Sequence, residues 1–248
     1  MRDRSDHPGQ AASDAPWIKR LASAATRYRE AILPPRAPAL EMYVFGKHPA
    51  WRDFIDPSLL PGTPRPFHDF HVRLRAAAES EFACRGRKPL VAAWRNLDTS
   101  AVLLILPSRD GADPFTGSTR LSPLFLGSCI RGSLGELFRF SIPRLTSLAT
   151  YLIQEGRTAS QFVNGIRLAT KNWTDDFEAL CNGNPKPGPK RGARFRTAVD
   201  RVWSYEAASP QGCFLLLKGS NLDIAFALKM GAEAIDATDF RTALGRAL

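Results

Sequence analysis

The sequence predicts a mixed fold of the α/β (α+β) class, a mainly antiparallel sheet flanked by helices, and three observations carry that reading. The run Ala101 to Leu106 (AVLLIL) is apolar without interruption, as a strand covered on both faces must be. Candidate strands come in adjacent pairs, which favours hairpins over long crossovers. Candidate helices come in a run, with apolar residues spaced three and four apart.

A chain of 248 residues, 44% of them hydrophobic, is long enough for one large domain or two small ones with a substantial core. Lysine and arginine outnumber aspartate and glutamate 34 to 24, a formal net charge of +10. Such a balance favours acidic partners without choosing among nucleic acid, anionic lipid and an acidic protein face. Cys84, Cys129, Cys181 and Cys213 lie far apart with no metal-ligand spacing, which reads as free thiols in a reducing cytosol. No stretch approaches the ~20 apolar residues of a membrane span, and Met1 to Asp14 lacks an apolar signal core, so the expectation is a soluble cytoplasmic protein.

Residues 1–40 read as a polar disordered tail, a basic amphipathic helix and a proline-rich linker. In the helix, Pro16 to Ile32, the residues Trp17, Leu21, Ala24, Tyr28 and Ile32 share one face, with Lys19, Arg20, Arg27 and Arg29 mostly elsewhere. It could touch a membrane surface peripherally, dock into a partner or cover its own core. Pro34, Pro35 and Pro38 then stiffen the path into the main domain, 41–248.

That domain opens with a strand, Met42 to Phe45, which Gly46 ends at a position free to take φ > 0. Lys47, His48, Pro49, Trp51, Arg52, Asp53 and Phe54 follow as an ordered corner. Prolines 57, 61, 64 and 66 lead to a helix with Phe67, Phe70, Leu74, Ala78 and Phe82 on one face, ended by Gly86. Leu90 to Trp94 and Ala101 to Leu106 are strands. Pro107 to Gly111 reads as a turn, and Leu121 to Cys129 as a strand in which Pro123 favours an edge or a strand start.

A helix is expected from Ser141, as N-cap, to Glu155, and a second from Ser160 to Cys181 with a break near Thr174. The segment Asn182 to Arg196 is rich in Pro, Gly and cations and reads as a surface loop. Its Lys186, Lys190, Arg191 and Arg194 form a candidate anion-binding patch. Val202 to Tyr205 and Gly212 to Leu217 read as strands, Ile224 to Met230 as a strand or short helix, and Asp236 to Leu244 as a closing helix.

Residue types able to do chemistry do not converge. The four histidines are His7 in the tail, His48 in the corner, and His68 and His71 on one helical turn without the further ligand of H-E-x-x-H. No nucleophile elbow, P-loop or dinucleotide fingerprint is present, and Asp110 with Asp113 lacks the calcium-loop pattern. His48 with Asp53 as a general base pair finds nothing else beside it. The expectation is a protein with no catalytic residues, metal or cofactor.

Two stretches resemble a known family. Gly46-Lys47, Pro49 and Asp53-Phe54 are similar to the opening signature of the TagF family (also called ImpM or SciE), accessory proteins of bacterial type VI secretion, except that Arg52 stands where the pattern has glycine. Trp94, Val102 to Leu106, Pro107 to Asp110, Arg120 and Pro123-Leu124 follow in that family's order, with an apparent insertion from Ala112 to Gly117. Gly219-Ser220, Phe240 and Leu244 resemble its ending, although Lys218 replaces a commonly acidic residue. The resemblance implies a roadblock/longin-like arrangement and a non-catalytic regulator. Such a regulator would bind a type VI secretion component, for example a forkhead-associated scaffold protein. Lys47, His48, Trp51, Arg52 and Asp53 are the candidate partner-binding residues, Trp51 as anchor and Arg52 as the specificity element; Trp51 and Phe54 could equally hold the corner to the core. The alternative from another class is a nucleic-acid or anionic-surface binder using residues 16–32 and the Lys186 to Arg196 loop.

Overall fold

The computed structural model describes residues 39–48, 54–55, 70, 72–78, 88–112, 119–154, 158–183, 192–219, 221–229 and 237–247. The expected tail, basic helix and linker, the residues Trp51, Arg52 and Asp53, the histidines at 68 and 71, and Lys186, Lys190 and Arg191 all lie outside them.

The elements in chain order are β1 (Glu41–Lys47), β2 (Phe54–Ile55), α1 (residues 70 and 72–78), β3 (Leu90–Asn96), β4 (Thr99–Ala112), β5 (Thr119–Arg131), α2 (Leu134–Gln154), α3 (Ala159–Cys181), α4 (Ala193–Ala207), β6 (Gly212–Lys218), β7 (Ile224–Lys229) and α5 (Ala237–Ala247). The seven strands form one sheet in the order β2-β1-β5-β4-β3-β6-β7, and every pairing is antiparallel. The fold is therefore α+β with an antiparallel sheet flanked by helices. The AVLLIL run lies in the middle strand of the seven, where both faces need cover.

The two-residue period of each strand divides its side chains between two cores. Met42, Val44, Val91, Ala93, Val102 and Leu104 face one core, closed by α2, α3 and α4. Tyr43, Phe45, Ala92, Trp94, Leu103 and Phe214 face the other, closed by α1 and α5. In that second core Phe70 of α1 stacks on Trp94 (4.7 Å between ring centroids) and meets Phe240 of α5 edge-on at 5.4 Å. Aromatic contacts of this kind add about 0.5–1.5 kcal/mol to the area they bury.

Several local expectations are corrected. β4 continues through the expected turn at Pro107 to Gly111 as far as Ala112, with an irregularity between Arg109 and Ala112. Pro123 lies in β5, an interior strand, directly opposite Pro107 of β4. Neither proline has an N–H, so the pair must be of the non-hydrogen-bonded type. The missing donors then point past the ends of the neighbouring ladders, which stop at Gly46 on one side and Leu90 on the other.

α2 begins at Leu134, seven residues before the expected cap. Ser141 is buried within it and joins Ser128 of β5 at 2.7 Å. Pro143 sits inside the same helix, where its ring leaves the Arg139 carbonyl without its usual donor. α3 runs unbroken past Thr174, whose hydroxyl donates to the Thr170 and Leu40 carbonyls. The expected strand Val202 to Tyr205 is part of α4, because Ala198, Val199, Val202 and Glu206 make one buried helical face. Ile224–Lys229 is a strand.

Candidate functional site

The corner that leaves β1 is a hairpin. β1 runs two residues past Phe45, its expected last residue, and Lys47 pairs with Phe54 of β2. Gly46 holds φ at +102°, and a Cβ there would lie 2.3 Å from the Pro123 carbonyl oxygen. No other residue type fits this crossing.

Lys47 and His48, expected to face a partner, are sealed from solvent at 2% and 0% exposure. The His48 ring packs edge-on against Phe162 of α3, 5.1 Å between centroids, and burial lowers its pKa to about 4. A neutral imidazole beneath a helix is a packing element and a poor contact for a docking partner. Both side chains are buried, where an exposed partner-facing corner was expected.

Of the candidate anion-binding residues, Arg194 is described. It is exposed in the first turn of α4, so the expected loop gives way to helix at Ala193. Arg194 and Phe195 line a cleft of about 660 Å³ that also includes Leu106, Ile142, Ile153 and Leu222.

A second, open cleft of about 760 Å³ runs between α2 and α3. Leu148, Tyr151, Leu168 and Trp173 give it an apolar lining, with Gln161 and Asn164 among its polar groups. Tyr151 is 47% exposed and Leu168 62%, two of the four large exposed hydrophobic side chains among the described residues. Arg144 stands at one end, stacked 3.8 Å over the Phe140 ring and 3.6 Å from the Asp176 carboxylate.

Sequence reasoning missed a buried polar cluster below this helical layer. The Glu206 carboxylate of α4 accepts the Leu134 and Gly135 backbone N–H groups, each at 2.8 Å, and the Ser133 hydroxyl at 3.0 Å. Arg95 of β3 reaches the same carboxylate at 3.0 Å and also donates to the Leu97 carbonyl. A carboxylate here caps α2 and opposes the positive end of its dipole. The Trp203 ring lies where a Cβ on Gly135 would stand, so α4 and the start of α2 are in close contact. A glutamate in an otherwise apolar helical stripe was the available signal.

The described thiols have their pKa values raised, which favours the protonated form at neutral pH. Burial pushes Cys129 far up and Cys213 up to about 11, and Cys181 is also raised. Among the described residues no group of three or more potential ligands could hold a metal ion, and no helix is long and apolar enough to cross a membrane.

No protein-family model and no curated protein matches the chain. Among solved structures it is similar to that of PA0076 from Pseudomonas aeruginosa PAO1, at 14% identity over 82% of this chain and 93% of that one, with a TM-score of 0.39. A likeness that distant carries no argument about role.

Proposed function

We propose that this chain is a TagF-like accessory or post-translational regulatory protein of a type VI secretion apparatus. It acts in the cytoplasm, performs no reaction, and works by binding another component such as a forkhead-associated scaffold. The observation that carries the reading is the Gly46-Lys47, Pro49, Asp53-Phe54 order at the end of the first strand. Its glycine stands at a crossing only glycine can make. The linings of the clefts support binding: they are apolar, hydroxyl, amide and arginine side chains, with no carboxylate, histidine or cysteine among the described lining residues, while His48, Cys129 and Cys213 are buried elsewhere.

The test is affinity capture of the tagged full chain from the source organism, with cross-linking and mass spectrometry. A type VI secretion component cross-linked to the chain is the expected result. Recovery of no such component would remove the proposal. The nucleic-acid reading draws on the exposed Arg194 and Arg196 and the +10 charge. It requires DNA or RNA binding that falls steeply with salt. Absence of binding at low salt removes it.

A further inference from the structure

We propose that the cleft between α2, the first turn of α4 and the sheet binds a free amphiphilic anion, a small molecule with an apolar chain and one carboxylate or phosphate head group. The inference stands apart from the secretion role, because it assigns a small-molecule site and not a protein partner.

Size and lining select the apolar chain. The cleft holds about 660 Å³, within the roughly 300–1,000 Å³ of small-molecule sites. Val91 and Leu104 of the sheet line it and are themselves buried. Leu106 of β4, Ile153 of α2, Phe195 of α4 and Leu222 of the β6–β7 turn also line it, and each is only half-buried. A guest chain would therefore cover apolar surface that the protein leaves in water. Leu222 also holds φ at +58°. Leucine seldom takes that left-handed conformation, and residues held in it gather at ligand-contacting positions.

Charge selects the head group. Among the described lining residues Arg194 alone is charged; it is exposed, and no described carboxylate pairs with it. Asp223, which touches the lining residue Asn221, is already engaged: it accepts from the Asn221 amide and lies 3.7 Å from Arg201. The hydroxyls of Thr146, Ser147 and Thr150 donate back into α2, to the Ile142, Pro143 and Thr146 carbonyls, so they offer an anion no proton. That leaves the Arg194 guanidinium as the lining's side-chain donor, and its fork matches a carboxylate or a phosphate while repelling an amine.

Isothermal titration of the full chain with decanoate, decyl phosphate, decanol and decylamine, each below its critical micelle concentration, tests this directly. Decanoate and decyl phosphate are expected to bind, decanol about tenfold more weakly or worse, and decylamine not at all. Arg194→Glu should weaken decanoate by about tenfold or more and let decylamine bind. Thr150→Trp, which places an indole in the cleft from α2, should abolish binding of every chain. Both positions are exposed, so urea midpoints that match the wild type separate lost binding from lost folding. No binding of either anion, decanol binding as well as decanoate, inorganic phosphate binding as well as decyl phosphate, or titrations indifferent to Thr150→Trp would each overturn the inference. So would co-sedimentation with phosphatidylglycerol vesicles that Thr150→Trp abolishes, because the guest would then be a membrane lipid. Failed titrations with a type VI component still captured sink the cleft alone; the converse sinks the secretion role alone.

Discussion

Replacing Glu206 by alanine should be among the most damaging single changes in the main domain. The carboxylate accepts two backbone N–H groups at 2.8 Å and the Ser133 hydroxyl, and pairs with Arg95 at 3.0 Å, while only 8% exposed. Each buried donor left without an acceptor costs about 1–3 kcal/mol, and removing one partner of a buried ion pair costs about 3–5 kcal/mol. The two overlap, because the same oxygens serve both. Water entering the vacated space recovers part of the loss, so the expected destabilisation is about 3–5 kcal/mol. Glu206→Gln keeps the shape and one acceptor oxygen but turns an amide NH₂ toward donors, and should cost about half as much. Urea unfolding followed by far-UV circular dichroism measures both, with an unchanged m-value as the sign that the unfolded reference is the same. Hydrogen exchange gives the local readout: the Leu134 and Gly135 amides should lose protection first. The exposed Asp200 on the same helix is the control, and its alanine variant should change nothing measurable. A loss below about 1 kcal/mol for Glu206→Ala would refute the assignment of this carboxylate as the cap that joins α4, β3 and α2.

Further outcomes follow from single positions. Gly46→Ala forces a Cβ to 2.3 Å from the Pro123 carbonyl at φ +102° and should destabilise by more than about 2 kcal/mol in the same assay, whereas a neutral result would mean the crossing can relax. Leu97 is 65% exposed with φ at +53° in the turn between β3 and β4, so Leu97→Asn should stabilise by about 0.5–1 kcal/mol, read as a higher urea midpoint. Ser128→Ala and Ser141→Ala should each cost about 1–2 kcal/mol by leaving the other hydroxyl buried without a partner, and the double variant should cost clearly less than their sum. His48 has its pKa lowered to about 4 by burial, so the unfolded chain takes up its proton first as pH falls. The stability His48 contributes should be full above about pH 6.5 and decline from there to about pH 4, and His48→Gln should flatten that part of the stability profile.

What the sequence disclosed depended on how local the determining contacts are. β4 and α3 were legible because an unbroken apolar run and a periodic apolar stripe each state their own burial. The helix at α4 was not: Val202, Trp203 and Tyr205 are β-prone, and a charged Glu206 interrupts the stripe where the fourth apolar residue would be. That glutamate is buried because of Arg95 and the start of α2, partners about 70 to 110 residues away, and no local pattern announces them. Lys47 and His48 misled in the opposite direction, since polar types after a glycine read as surface while β1 continues through Gly46 to Lys47 and both side chains are buried. The groove between α2 and α3 could not be foreseen from either helix alone. Leu168 and Tyr151 stand out only once both helices are placed and neither residue is covered.

The most direct test of a regulatory, non-catalytic role in type VI secretion is to count apparatus-firing events in the source organism with the gene deleted and then restored. A firing frequency that changes on deletion and returns on restoration is the expected result. An unchanged frequency would contradict the role.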